Sequence, residues 1–247
     1  MFELEIKRLN LGKRFKGLKI VQISDLHICK ANVTLLDDIK ETINSICADI
    51  VVITGDFICN GGECLNELKY LLSRIDAKIA KYACMGNHDY ADCENGKKIE
   101  KTLTDSDFKL LKNSREDIFY NFYSLGFSGI DDPECGHPKY DGVIKKDDIV
   151  LSHNPVTFGK ISQYSPSLML SGHTHGGQIK CGIWHLLCNK FTGYDYIEGL
   201  YKRNEGILYV NRGVGNVVFK PKFFNKEFAI NIPRINSKAE ITLFEFE

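Results

Sequence analysis

The chain offers no net charge to a polyanion: 32 lysines and arginines cancel 32 aspartates and glutamates across its 247 residues. Without a global basic field, nonspecific nucleic-acid binding is excluded as the expected role. No run reaches the roughly 18 apolar residues of a membrane-spanning helix. Met1 to Arg8 hold no apolar core of a signal peptide, so a cytoplasmic chain is expected. The nine cysteines are odd in number and none stands in a Cys-x-x-Cys pair. Reduced, mostly buried thiols are therefore expected, not a disulfide framework. What remains is an ordinary composition, 43% hydrophobic and 26% charged. It is enough for a sizeable core in one large α/β domain covering residues 1–247.

The apolar pattern alternates short runs with helical stripes. Ile20 to Ile23, Ile50 to Thr54 and Ile79 to Met85 read as buried strands. Between them, Val33 to Ile46 has apolar residues at 35, 36, 39, 43 and 46, and Leu65 to Ile75 reads as a second helix. Asp25 to Asp56 spans 31 positions, and Asp56 to Asn87 another 31. Each interval is one strand–helix–strand unit of a parallel sheet. Beyond it, a helix is expected over Lys97–Leu111, an aromatic hairpin over Ile118–Ile130 and a loop over Asp131–Gly142. Strands are expected at Ile149–Ser152, Leu168–Ser171, Leu208–Asn211, Phe228–Ile232 and Ile241–Phe246, with a short helix near Val156–Gln163. This order suggests two stacked sheets with helices outside.

The polar residues that end these strands share one chemistry. They are Asp25 and His27, Asp56, Asn87, His153, and His173 with His175, all oxygen or nitrogen donors. Strand ends are where such sheets gather ligands. One cation can take Asp25, His27 and His175, and a second Asn87, His153 and His173, with Asp56 bridging. Two dications bring +4, the two aspartates −2 and a bridging hydroxide −1, so about one positive charge remains for a phosphate anion. Asn87 coordinates through its amide oxygen without cancelling that charge. Two such ions lower the pKa of water and clamp an in-line displacement at phosphorus. His88 stands one residue beyond a ligand as the natural proton donor to the leaving oxygen, with Asp89 available to orient it. Singly, each piece has an ordinary explanation, a turn at Gly55-Asp56 or Gly86-Asn87, a surface histidine at His153. In this order they point to a binuclear site. His137 and His185 read as non-ligands, and Arg212 as the partner of a carboxylate.

The set Asp25-x-His27, Gly55-Asp56, Gly86-Asn87-His88-Asp89, His153 and Gly172-His173-x-His175 resembles the calcineurin-like metallophosphoesterases, from about Leu18 to Phe246. The resemblance implies a four-layer α/β/β/α sandwich of two mixed sheets with flanking helices, and two catalytic divalent ions. Manganese is the family expectation, with iron or zinc also suited to the donor set. The segments 172–179, 198–201, 209–215 and 240–243 are similar to a bacterial branch that includes membrane-associated phosphodiesterases and the chlamydial-type UDP-2,3-diacylglucosamine pyrophosphatases of lipid A synthesis, and 84–91 with 55–59 resembles the latter especially. That branch implies a phosphate-containing, lipid-linked substrate and peripheral contact with the inner face of the cell membrane. The alternative is a broader phosphodiesterase for nucleotides or small diesters. Met85, where phosphoprotein phosphatases carry arginine, argues against a phosphoprotein substrate. Two stretches suit a membrane interface: Gly182 to Leu187 with Trp184, and Val217 to Phe228 with Phe219, Phe223 and Phe224 among lysines. Their ordinary explanation is core strand and solvated loop.

Overall fold

A computed structural model of the chain describes residues 2–30, 32–59, 64–90, 93–178, 180, 195–203, 206–216 and 233–247, with strand pieces at 218–219, 222–223, 226–227 and 230–231. Trp184, His185, the 182–187 stretch and half of the 217–228 stretch, Phe224 included, lie outside the described residues.

The 31-residue repeat folds as expected. Strands β1 (Phe2–Leu9) and β2 (Lys19–Ile23) precede α1 (Leu36–Ile46), followed by β3 (Ile50–Thr54), α2 (Leu65–Leu72), β4 (Ala80–Cys84), α3 (Cys93–Asp105) and β5 (Lys109–Leu110). The second half contains β6 (Ser114–Tyr120), β7 (Tyr123–Gly129), β8 (Ile149–Leu151), α4 (Phe158–Ile161), β9 (Leu168–Ser171), β10 (Gly199–Arg203) and β11 (Gly206–Val210). Four two-residue strands follow, β12 (Val218–Phe219), β13 (Lys222–Phe223), β14 (Lys226–Glu227) and β15 (Ile230–Asn231), then β16 (Ala239–Phe246). One six-stranded sheet runs β1-β16-β2-β3-β4-β5 and the other β10-β11-β9-β8-β7-β6. Both are mixed. β2 to β5 are parallel while β16 opposes β2, and β7, β8, β9 and β11 are parallel while β6 and β10 oppose their neighbours.

The period-2 alternation of a strand sorts the core into layers. In β3, Ile50 and Val52 face the second sheet, where they meet Phe127, Leu151, Leu170 and Tyr209. Val51 and Ile53 face outward onto Ile39, Ile43, Leu68, Leu72 and Leu103 of the three helices. The far face of the second sheet packs Val150, Met169 and Leu208 against Phe158, Ile161, Val143 and Ile144. The expected four layers are present, the last one thin.

The third helix differs from expectation. It ends at Asp105, not Leu111: Asp107 takes a left-handed φ of 61°, and the Phe108 amide reaches back to the Leu103 carbonyl at 2.9 Å. This is a Schellman-type stop with aspartate in the usual glycine place. The chain is thereby released to add β5 beside β4, so Leu110 and Leu111 belong to the sheet side, not to a helical stripe. Strands β1 and β10 were not expected. β1 is an outer strand with Leu4 and Ile6 exposed, so its pattern carries little core signal. Of the expected Phe228–Ile232 strand the structure describes Ile230–Asn231. Cys29, Cys47, Cys84 and Cys135 are free thiols, and of the six cysteines at 29, 47, 59, 64, 84 and 135 only Cys64 and Cys84 are buried, fewer than the sequence led one to expect.

Candidate metal centre

Parallel pairing lines up the carboxyl ends of β2, β3 and β4 in the first sheet and of β8 and β9 in the second, and the loops beyond them, carrying all seven expected ligands, meet through His173–Asp25 and His153–Asp56. Local backbone then turns the side chains inward. Asp25, His27, Asp56, His173 and His175 all have left-handed φ, between 40° and 73°. Such conformations are uncommon for residues other than glycine, with asparagine, aspartate and histidine the most frequent exceptions, and they turn the chain sharply beyond each strand end. Glycine makes the approach possible: a Cβ at Gly86 would lie 2.2 Å from Asp56 Oδ1.

The structure brings the seven residues together. His27 Nε2 and His175 Nε2 are 3.1 Å apart, and His175 Nε2 lies 3.4 Å from Asp25 Oδ1. Asp56 Oδ2 sits between His27 Nε2 at 3.4 Å and His153 Nε2 at 3.3 Å. His173 Nδ1 faces Asn87 Oδ1 at 3.1 Å and His153 Nε2 at 3.3 Å. Two overlapping groups, Asp25–His27–His175 and Asp25–Asp56–His153, each keep their donor atoms within 4.8 Å of one another. These are two candidate metal-binding sites.

Electrostatics suits the same purpose. Burial lowers the pKa of His27 and brings that of His175 to about 3, so both imidazoles present neutral lone pairs. At His153 burial acts in the same direction, but the Asp56 carboxylate outweighs it and raises the pKa well above the usual histidine range. His153 Nδ1 donates to the Thr54 carbonyl at 2.6 Å, which leaves Nε2 directed at Asp56. Such outer hydrogen bonds fix the ring and tautomer of a metal-binding histidine. Carboxylate, amide and imidazole donors that converge, five of the seven buried, fit divalent cations of the Mn, Fe and Zn kind.

His88 lies beside this cluster, half-buried, its ring edge-on to His27 with centroids 5.0 Å apart. The expected helper Asp89 serves another purpose. Its carboxylate accepts the backbone amides of Asp56, Phe57 and Gly86 at 2.8–2.9 Å, stapling two ligand loops together, so it is not directed at the His88 ring. Arg212 pairs with Glu240 at 2.6 Å and Glu5 at 3.0 Å, as its carboxylate reading expects. His137 is exposed and outside both donor groups.

Two supporting residues escaped sequence reasoning. Glu134 Oε1 lies 3.5 Å from His173 Nε2 and accepts from Asn154 Nδ2 at 2.8 Å. Arg234 donates to backbone carbonyls of Arg212 and Gly213 at 2.8 and 3.2 Å, and its Nη2 stands 3.2 Å from His175 Nδ1. Glu134 sits in a Pro/Gly loop and Arg234 in a segment of weak periodicity. The one available signal was the Asp131-Asp132 pair that organises the Glu134 loop.

A profile of calcineurin-like phosphoesterases matches residues 18–177, well over half of the chain and all seven donor positions. The chain belongs to the calcineurin-like phosphoesterase family. This member is 32% identical over 254 residues to the uncharacterized metallophosphoesterase YkuE of Bacillus subtilis, covering 98% of this chain and 83% of that protein. It is 30% identical over 278 residues to the UDP-2,3-diacylglucosamine pyrophosphatase LpxG of Chlamydia trachomatis, covering 86% of this chain and 84% of that protein. Among solved structures, a dimetal phosphatase from Danio rerio shares the fold at a TM-score of 0.54, over 94% of this calcineurin-like chain and all of the other, at 9% identity. The chain is a metal-dependent phosphoester hydrolase. Among the described residues no helix is long and apolar enough to cross a membrane.

Proposed function

We propose that the chain hydrolyses the pyrophosphate of UDP-2,3-diacylglucosamine, releasing UMP and 2,3-diacylglucosamine 1-phosphate for lipid A synthesis. The observation that carries this reading is the match to LpxG, which extends through 86% of the chain. Such a lipid-linked substrate puts the enzyme in the cytoplasm, in peripheral contact with the inner face of the cell membrane.

The metal ligands in this reading are Asp25, His27 and His175 for one ion, and Asn87, His153 and His173 for the other, with Asp56 shared. Two divalent cations, manganese by preference, supply Lewis acidity and a nucleophilic water at neutral pH. The chain's own residues do the rest. Burial keeps His27 and His175 free of protons that a cation would have to displace. Thr54 holds His153 by its Nδ1 edge, and Glu134 holds His173 by its Nε2 edge. The amide of Asn87 contributes an oxygen without charge, so the site keeps its attraction for phosphate. His88, half-buried beside the cluster, delivers a proton to the leaving phosphate oxygen.

The test is mass spectrometry of the products formed from UDP-diacylglucosamine with manganese added, for wild type and His88→Ala. Wild type is expected to release UMP and the lipid 1-phosphate. The variant is expected to hold its metal while turning over about 10²–10⁴-fold more slowly. No UMP from wild type, with an aryl phosphodiester still hydrolysed, would replace this substrate by the broader phosphodiesterase reading.

A further inference from the structure

Next to the Asp25–His27–His175 donors lies a cavity of about 270 Å³. Its apolar wall is built from Phe2 and Ala239, the paired ends of β1 and β16, with Leu35, Val214 and Pro233. A narrow cleft between Leu26, Ile28, Leu36 and Ile39 continues inward from the same Leu35–Val214 wall. Each of the three donors abuts the cavity through one lining residue. Cys29 follows His27 by two positions, the Gly215 amide donates to the Asp25 carbonyl at 2.8 Å, and Arg234 contacts His175.

The polar residues of the wall are turned to protein partners. Asn32 accepts the Cys29 amide at 2.9 Å and donates to the His27 carbonyl at 3.0 Å. Arg234 reaches the carbonyls of Arg212, Gly213 and His175 and the side-chain oxygen of Asn216. Its guanidinium is therefore satisfied by backbone dipoles and has no fork left for a phosphate. What the cavity offers an incoming molecule is shape and apolar surface. Pockets that enclose drug-sized ligands run about 300–1,000 Å³, so this volume falls short of a sugar nucleotide. At interior packing density it holds an alkyl chain of about ten carbons.

We propose that this cavity is an acyl-chain subsite, taking one alkyl chain of a lipid-linked substrate whose phosphate lies on the neighbouring donors. The assignment rests on the substrate reading above, and adds to it where a chain goes and why a long one is preferred. Each methylene buried is worth about a fourfold gain in affinity until the cavity is full.

Leu35→Trp, which fills the cavity, and Ala239→Leu, a milder filling, test this in two measurements. Calorimetric titration of the metal-free protein with lauric acid is expected to show binding to wild type, weakened at least tenfold in both variants. With metal present, the ratio of kcat/KM for UDP-diacylglucosamine to that for bis-p-nitrophenyl phosphate is expected to fall at least tenfold in both. Absence of lauric acid binding to wild type overturns the subsite, as does unchanged binding in the variants. Binding that behaves as expected, with no turnover of UDP-diacylglucosamine by wild type, leaves the subsite standing and removes the substrate reading. Turnover of that substrate with an unchanged ratio in both variants removes the subsite and leaves the substrate reading.

Discussion

Gly172→Ala isolates one contact on which the metal centre depends. The Gly172-His173 turn lies directly on Asp25, whose carboxylate accepts the His173 amide at 3.0 and 3.1 Å. A Cβ at Gly172 would stand 1.8 Å from Ser24 Oγ and 2.3 Å from Asp25 Oδ2. Gly172 is not among the residues of left-handed φ, so alanine meets a clash there and no backbone strain. Restoring a contact of 3.4 Å, where ordinary van der Waals distances begin, moves the carboxylate oxygen by about 1.1 Å. Overpacking of this kind costs about 1–3 kcal/mol. At about 2–4 °C per kcal/mol for a chain of this length, the melting temperature falls by about 2–12 °C. A displacement near 1 Å in a positioning group costs about 10²-fold in turnover, and here it falls on a candidate ligand. The assay combines kcat on bis-p-nitrophenyl phosphate at saturating manganese, metal content by elemental analysis, and thermal melts with and without chelator. Gly142→Ala is the control, because its φ is 75° with nothing within 4 Å of the added Cβ. It is expected to lose about 1 kcal/mol of stability through strain and to keep its metal and turnover. A Gly172→Ala protein with two tightly held ions and wild-type kcat would refute the reasoning.

Glu134→Gln keeps the shape at His173 Nε2 but removes the charge that supports the ring; metal affinity is expected to drop about 10–100-fold, read by competition with a fluorescent chelator. The Glu134 side chain is 44% exposed, so the melting temperature of the metal-free protein should barely move. Asp132 supplies the pH dependence. Burial raises its carboxyl pKa above the usual 3.8, and its Oδ2 has no hydrogen-bond partner among the described residues. A group whose folded pKa is raised stabilises fully below its unfolded value, and that contribution is lost as pH rises through the folded value. Asp132→Asn is therefore expected to melt higher than wild type at pH 8 and to lose the advantage near pH 4. Equal melting temperatures for the two proteins at pH 8 would count against burial as the cause.

Much of the site was legible because its chemistry is written in residue types. Asp25, Asp56 and Asn87 recur at 31-residue intervals after apolar runs, and a parallel sheet has no choice but to place them along one edge. The strands Ile50–Thr54 and Leu168–Ser171 were readable to the residue, since they are buried on both faces and bounded by turn residues. Less legible were elements decided by tertiary contact. β1 is half exposed and finds its place only by pairing with β16, more than two hundred residues away. The stop of α3 depends on Asp107 accepting a left-handed φ, which composition does not announce. Asp89 illustrates the same limit within the site. Beside His88 in sequence, it looked like an orienting carboxylate, yet three backbone amides from two loops outcompete a single imidazole for a buried oxygen pair.

The same reasoning explains why five candidate ligands hold backbone conformations that favour glycine. A left-handed aspartate or histidine costs on the order of 1–2 kcal/mol, and it persists only where the surroundings over-determine it. Here they do so through bonds that cross between loops. The Asp25 amide donates to the Gly55 carbonyl at 3.0 Å, the His27 amide to the Asp56 carbonyl at 3.0 Å, and the His173 amide to the Asp25 carboxylate. Asp25, His27, Asp56 and His173 are thus each tied to a loop that carries another candidate ligand, while the His175 carbonyl is held by Arg234 and Ser237. The arrangement places donors before any cation arrives, which reduces the reorganisation that binding must otherwise drive. A glycine at any of these φ values would relieve the strain and remove the donor, so the strain marks where function has overruled backbone preference.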